Sequence, residues 1–414
     1  MMSRSVFMAV ARVLICMLLP LAPHWVAAQS VGAGPLTSSL AVTEPTTGVL
    51  NWGRIKMAPG FVIEELGEDP NVFDERDDPK RDWVFRGTPD LSLFSQVRFA
   101  RLSAYAGSEL TYYHKYKDER SIGREYRARV DLLLGLLQPF VAGGETRSRS
   151  RPNGEIDVRA ERTEREGGGG LAYQYGAYQA VYASAVVYRN TYRNSREEGV
   201  DLSVALNRES KDYSLGFRTA VTPLAQLTVS GSFVEDRFES LPIRDSDSRI
   251  GTVSLQIGAE AALSGTLTVS YRDFRPVDPE VEPNQLIGIQ AAITYPFLEL
   301  ARVSLGVRRG LEYSFDQAEA YYEETTVNLS YTHRLFGEVD FQVRGSKSIF
   351  DYGFRNGSEA RRDGLDSVAG SLGYNLRNRT RIALNYENAR RRSPVFPERD
   401  FDRRRVYLSW AYAF

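Results

Sequence analysis

Cysteine is almost missing from this sequence. Its one cysteine, Cys16, lies close to the N-terminus, so the rest of the chain has neither a disulfide framework nor thiolate chemistry. Leu14 and Ile15 precede Cys16 where a lipid-acceptor cysteine needs a small residue, which argues against a lipoprotein. Histidine is nearly as scarce, with three residues, and no His-Glu-x-x-His or cysteine pair offers metal-ligand spacing. Lysine is limited to Lys56, Lys80, Lys115, Lys117, Lys211 and Lys347; the remainder of the 52 basic residues are arginine. Net charge is -1, so nothing at the level of the whole chain points to nucleic acid. From Leu102 onward there is no helical period of useful length.

What is present begins with an address. Arg4 and Arg12 form a basic segment, Val13 to Leu21 a short apolar core broken by Pro20, and Ala27-Ala28 a small-residue cleavage site before Gln29. That pattern reads as a signal peptide over residues 1–28, the apolar stretch being too short and too early for a membrane anchor, which needs about 20 residues. Residues 29–59, rich in Gly, Pro, Ser and Thr, read as a periplasmic leader.

Residues 60–414 repeat one unit: about ten residues of alternating apolar and polar character, a tight turn, another such segment, then a longer polar stretch. The last segment is clearest. Val406, Leu408, Trp410, Tyr412 and Phe414 share one parity, while Arg403, Arg405, Tyr407, Ser409 and Ala411 share the other. A strand sends these sets to opposite faces, one suited to lipid with an aromatic end at the interface. Trp410, Tyr412 and Phe414 are therefore the expected recognition element for the barrel-insertion machinery. Ile382-Leu384-Tyr386, Phe341-Val343, Val327-Leu329-Tyr331, Leu305-Val307 and Val253-Leu255-Ile257 repeat the alternation. Turns at Phe99–Arg101, Leu136–Gln138, Ala177–Gln179, Thr222–Gln226, Ala261–Gly265, Pro296–Leu300, Phe336–Gly337 and Arg377–Arg379 give eight hairpins. With a first strand over Phe61–Leu66 and the C-terminal strand, the fold is all-β: an antiparallel transmembrane outer-membrane β-barrel of about 18 strands. Nine outer loops result, none long enough alone to be an obvious plug.

Catalysis finds little support. His114 falls near an outer rim and His333 near the opposite end on the lipid-facing parity, so they cannot meet in one site. The acidic run from Glu68 to Asp78 has the oxygens for Ca²⁺, but Arg76, Lys80 and Arg81 interleave it and favour a solvated or lipopolysaccharide-facing loop. Gly167 to Gly170 is followed by no helix and so makes no phosphate loop; glycines on a barrel strand relieve crowding. No cofactor is called for.

Arginine carries the positive signal. Arg127, Arg129, Arg218, Arg272, Arg308, Arg344, Arg381, Arg403 and Arg405 fall on the parity expected to face a lumen. Guanidinium groups bind carboxylate and phosphate in a planar, bidentate way, and charged rings tune pore selectivity. Asp131, Glu109, Asp340, Glu312 and Glu387 fall on the same parity, so Arg–carboxylate ladders that merely brace the wall are the competing reading.

Asp69-Pro70-Asn71-Val72-Phe73 after the first strand resembles the acidic-x-Asn-Val-Phe element of the β-barrel porin 2 family, found with exopolysaccharide and exosortase gene clusters. The charged stretch that follows, the strand through Trp83-Val84-Phe85 with Thr88-Pro89, and Tyr213-Ser214-Leu215-Gly216 before Thr222-Pro223-Leu224 fit that family's layout. The resemblance implies a place in the bacterial outer membrane near polysaccharide export, and supplies no catalytic residues. The expected function is a porin-like channel, for export of an anionic exopolysaccharide or passage of anionic solutes. A non-conducting structural barrel of an export complex is the alternative. Expected partners are outer-membrane lipid and lipopolysaccharide, the insertion machinery, polysaccharide and periplasmic export proteins.

Overall fold

The computed structural model describes residues 49–176, 178–298, 300–316, 319–353, 361–376 and 380–413. Residues 1–28, expected from sequence to be a signal peptide, and most of residues 29–59 lie outside them. Alternating residues form strands because the pleat sends successive side chains to opposite faces, and a sheet this long can satisfy both of its edges only by closing on itself.

The wall is built, in chain order, from β1 (Ile55–Asp69), β2 (Asp82–Val97), β3 (Ala100–Gly107, continued by Leu110–Tyr113) and β4 (Ser121–Ile122, continued by Arg124–Leu132). It goes on through β5 (Leu137–Ser150), β6 (Ala160–Gln174), β7 (Gln179–Arg193), β8 (Arg208–Thr222) and β9 (Ala225–Phe238). Next come β10 (Ser246–Ile257), β11 (Ser264–Pro276), β12 (Asn284–Leu298), β13 (Ala301–Tyr313) and β14 (Tyr321–Phe336). The last four are β15 (Val339–Asp351), β16 (Arg362–Leu376), β17 (Thr380–Arg392) and β18 (Phe401–Ala413). Each strand pairs antiparallel with the next, and β1 pairs with β18, so eighteen strands close into a barrel. A short ribbon, Leu50–Trp52, folds back on β1 through Gly53. β1 thus extends beyond the Phe61–Leu66 core of its alternation at both ends.

The short connections lie within about two residues of the turns marked by sequence, apart from Arg377–Arg379, which falls outside the described residues. Gly135 and Gly337 adopt positive φ there, the conformation a tight hairpin requires of its turn residues. The poorly alternating glycine run of β6 has a packing cause. A side chain at Gly168 would strike the backbone of Ala185 and Val186, and one at Gly170 the ring of Phe140.

At the seam, register shifts between Ile63 and Leu66 against β18, and between Ile63 and Glu65 against β2. This bulge at Glu64-Glu65 increases local twist and places Glu65 in a buried position beside Arg405. Most strands run 12 to 16 residues, more than the roughly 9–11 that cross a bilayer. The surplus extends the wall past the apolar band at the long-loop end.

Candidate channel lumen and its loop closure

Exposed apolar side chains identify the outer face: Leu171, Leu215, Val229, Val253, Val269, Leu329, Leu372, Leu384 and Leu408 share it around the ring. The opposite parity faces inward and is mostly small or polar. Pairs such as Ser214–Ser232, Ser254–Thr268 and Thr294–Ser304 bond across neighbouring strands there, at 2.8, 2.8 and 2.9 Å.

All nine candidate arginines stand on this inward parity, in two chemical situations. Seven hold carboxylates. Arg129 grips Asp131 at 2.7 Å and Arg127 meets Glu125 at 2.9 Å. Arg272 faces Asp236 at 3.6 Å, and Arg308 pairs with both Glu312 and Glu324. Arg381 makes a two-pronged contact with Asp340, Arg403 meets Asp74 at 2.8 Å, and Arg405 lies 2.9 Å from both Glu65 and Glu387. These are the bracing ladders. Arg218 and Arg344 differ: among the described residues neither has a carboxylate partner, and they stand on β8 and β15, across the lumen from each other.

The lumen has a charge polarity along its axis. Within about five residues of the short-turn end, inward strand positions among the described residues carry Lys56, Arg101, Arg127, Arg129, Arg218, Arg302, Arg334, Arg344 and Arg381, against Asp131 and Asp340. Toward the loop end carboxylates are plentiful: Glu65, Glu109, Glu125, Asp236, Glu312, Glu324 and Glu387 sit beside Arg86, Arg272, Arg308 and Arg405. Lys56, Arg101, Arg302 and Arg334 escape a reading of sequence because they flank turns, where strand limits are hardest to place. Their signal is parity counted inward from each turn.

Several short loops, each too small to plug the barrel, together cross its outer mouth. β13 pairs with β12 only as far as Arg309 but stays paired with β14 to Tyr313, so the tip of this hairpin parts from β12 as a unit. Tyr313 Oη then donates to Asp236 Oδ2 at 2.8 Å on β9. Beyond it, Ser314 Oγ donates to Glu155 Oε1 at 2.5 Å, and the Phe315 N–H reaches Glu155 Oε2 at 3.3 Å. Glu155 belongs to loop 151–159 after β5, eight strands away in a ring of eighteen, so this contact spans nearly the full diameter. Two further pairs cross the mouth: Arg399 to Glu198 at 2.5 Å and Arg391 to Asp157 at 2.6 Å. Arg244 binds the Ser314 carbonyl at 2.5 Å.

Beneath these bridges Ile156, Leu202, Ala205 and Leu206, the last three on a short helix α1 (Leu202–Leu206), pack against Phe238, Phe274, Tyr313, Phe315 and Tyr321. Phe350 leaves no room for a side chain on Gly154. Burial pushes the Glu155 carboxyl up to about 7, although Ser314, the Phe315 amide, Arg399 and Arg361 all favour its charged form. Burial also raises Asp157, against the pull of Arg391 and Arg151.

A family model described as "Putative beta-barrel porin 2" matches residues 60–414. The chain belongs to this porin family. No curated protein matches it. Among solved structures, OccAB3 of Acinetobacter baumannii is 12% identical, covering 86% of this chain and 99% of that one at a TM-score of 0.48. OpdK of Pseudomonas aeruginosa, solved with vanillate, is 11% identical, with 87% and 99% covered at 0.47. A BenF-like porin from Pseudomonas fluorescens Pf-5 is 10% identical, with 86% and 99% covered at 0.48. By its family the protein is a porin-like outer-membrane barrel; in barrels of this kind the short turns lie on the periplasmic side.

The remaining candidates of this porin separate cleanly. Trp410 packs edge-on against Phe61 across the seam, with ring centroids 5.6 Å apart, and lies 6.3 Å from the Tyr412 ring; Phe414 falls outside the described residues. His114 is exposed at the loop end, whereas His333 bonds Tyr331 at 3.1 Å on the outer face near the periplasmic turns. In the acidic first loop, Asp74 turns inward to Arg151 and Arg403, and Asp69 accepts from the Asn71 amide. Among the described residues no group of three acidic, histidine or cysteine side chains is arranged to hold a metal ion.

Proposed function

We propose that this porin is an outer-membrane channel for anionic cargo entering from the periplasm, with an anionic exopolysaccharide as the export substrate and the outer loops as its gate. The observation that carries this reading is the charge polarity of the lumen. Among the described residues nine inward cations stand at the periplasmic end with two carboxylates at that level, and Arg218 and Arg344 make no ion pair. Such an entrance concentrates anions and disfavours cations. An eighteen-strand barrel has the circumference for an aqueous channel.

The family's association with polysaccharide export suggests the cargo. The second reading, a non-conducting structural barrel, is favoured by the closed outer mouth. Single-channel recording in a planar bilayer separates the two. The expected result is anion-selective openings whose reversal potential moves toward cations in Arg218→Ala/Arg344→Ala. If folded protein passes no current, and neither does a variant with loop 152–157 replaced by a short Gly-Ser linker, the structural reading replaces the channel.

A further inference from the structure

We infer that the outer wall of β4 to β8 carries a binding site for the phosphate groups of an outer-leaflet glycolipid. This site faces away from the lumen and stands independently of the channel reading. Just beyond the apolar band, the outward parity of these strands is crowded with cations. Arg124 is directly opposite Arg147, and Arg165 directly opposite Arg189. Like charges in facing positions of neighbouring strands repel unless something anionic lies between them.

The protein supplies too little of it. Glu145 is shared by Arg147 and Arg165, at 2.6 and 2.7 Å, and Glu209 by Arg189 and Lys211, at 2.6 and 3.7 Å. Among the described residues neither Arg124 nor Arg193 makes an ion pair, although Glu161 stands opposite Arg193 on β6. Elsewhere on the outer wall Arg237, Arg309 and Arg362 each have one of their own, in Asp247, Glu323 and Asp351.

The crowded cations surround a real recess. Arg147, Arg165, Arg189 and Arg193, with Thr163 and Thr191, line a cavity of about 360 Å³. One carboxylate, Glu239, also borders it and accepts a bond from Asn207 at 3.2 Å. The guanidinium side chains are about half exposed, so their donors remain open to a ligand.

Position selects the kind of anion. On the membrane side of the recess the same parity continues as Gly167, Gly169, Val141, Ala185 and Val187, with Val141 and Val187 exposed on the apolar face. A ligand with phosphate at the level of Arg165 and acyl chains along this surface satisfies both. A freely dissolved phosphate uses only the first. Arginine suits the task, since its planar fork makes paired bonds to phosphate oxygens.

The test is native mass spectrometry of the purified full-length porin with diphosphorylated lipid A, its dephosphorylated form, and inorganic phosphate as competitor. Diphosphorylated lipid A is expected to be retained. Arg165→Ala/Arg189→Ala should weaken retention about tenfold or more, from the loss of charge-assisted bonds. Arg362→Ala, on β16 and paired with Asp351 away from this face, should not change it. Heat-modifiable migration on a gel confirms that each variant is folded. Equal retention of both lipid forms, or unchanged retention by the folded double variant, overturns the site. Displacement by micromolar inorganic phosphate overturns its assignment to a lipid.

Discussion

Arg405 and Arg344 point into the same lumen, but only one of them has a carboxylate to hold. Arg405 lies between Glu65, which the seam bulge buries, and Glu387 on β17. Removing it leaves the buried Glu65 to the more distant Arg86, at 3.8 Å, and takes from Glu387 its paired cation, which costs more than the bonds themselves return. Arg405→Ala is therefore expected to lower unfolding stability by about 1–3 kcal/mol, read as a lower denaturant midpoint in detergent or lipid. Arg344→Ala removes no pairing and should stay within about 0.5 kcal/mol of the parent, while shifting ion selectivity. If both variants lose stability equally, the division between bracing and steering arginines fails.

Loops and strand ends show the same division between structure and response. Glu155 is held near 7 in the closed mouth, and exposure to water would return it to the ordinary carboxyl range. The closed form therefore binds the extra proton. Its advantage is full below the ordinary value, declines as pH rises toward 7, and is lost above it; the whole effect is worth about 3 kcal/mol. Openings in planar bilayers should become more frequent between pH 5 and pH 8 (roughly the span of this shift). Glu155→Gln, which keeps the shape without the charge, should stay shut across that range. Identical gating of parent and variant would remove Glu155 from the gate. None of this was legible in the sequence. Strands are, because parity is local: Val406, Leu408 and Trp410 declare their face within a few residues. A loop such as 151–159 meets its partner only after thirteen strands have curved the wall, and no short-range pattern links Glu155 to Ser314. The parting of the β13–β14 tip from β12 beyond Arg309 is hidden for the same reason, since Leu311 and Tyr313 keep both the strand's alternation and their pairing with β14. Among the described residues two of the nine arginines, Arg218 and Arg344, have no carboxylate partner, a distinction that needs neighbours which parity alone cannot give.

At the scale of the whole barrel, first and last strands are neighbours, so the sheet has no closed form until β18 has paired with β1. Deleting residues 401–414 should abolish the heat-modifiable barrel entirely, not merely weaken it; a compact, heat-modifiable product would contradict this. The closed wall also makes lumen charge a collective property. Cations at the periplasmic end are spread over eight strand ends, so each contributes through the field it adds rather than by contact with the permeating ion. Fields of this kind are screened by salt, with a Debye length of about 10 Å at 0.1 M and about 3 Å at 1 M. Anion selectivity, measured as reversal potential under a fixed salt ratio, should therefore be strong near 0.1 M and fall several-fold near 1 M. A selectivity fixed by direct ion binding at Arg218 or Arg344 would survive that change, because the ion would still have to meet the same guanidinium group. Selectivity that persists at high salt in the parent and disappears in Arg218→Ala/Arg344→Ala would place a discrete anion site at those two residues. Loss at high salt, with only partial change in the double variant, would assign selectivity to the cationic entrance as a whole.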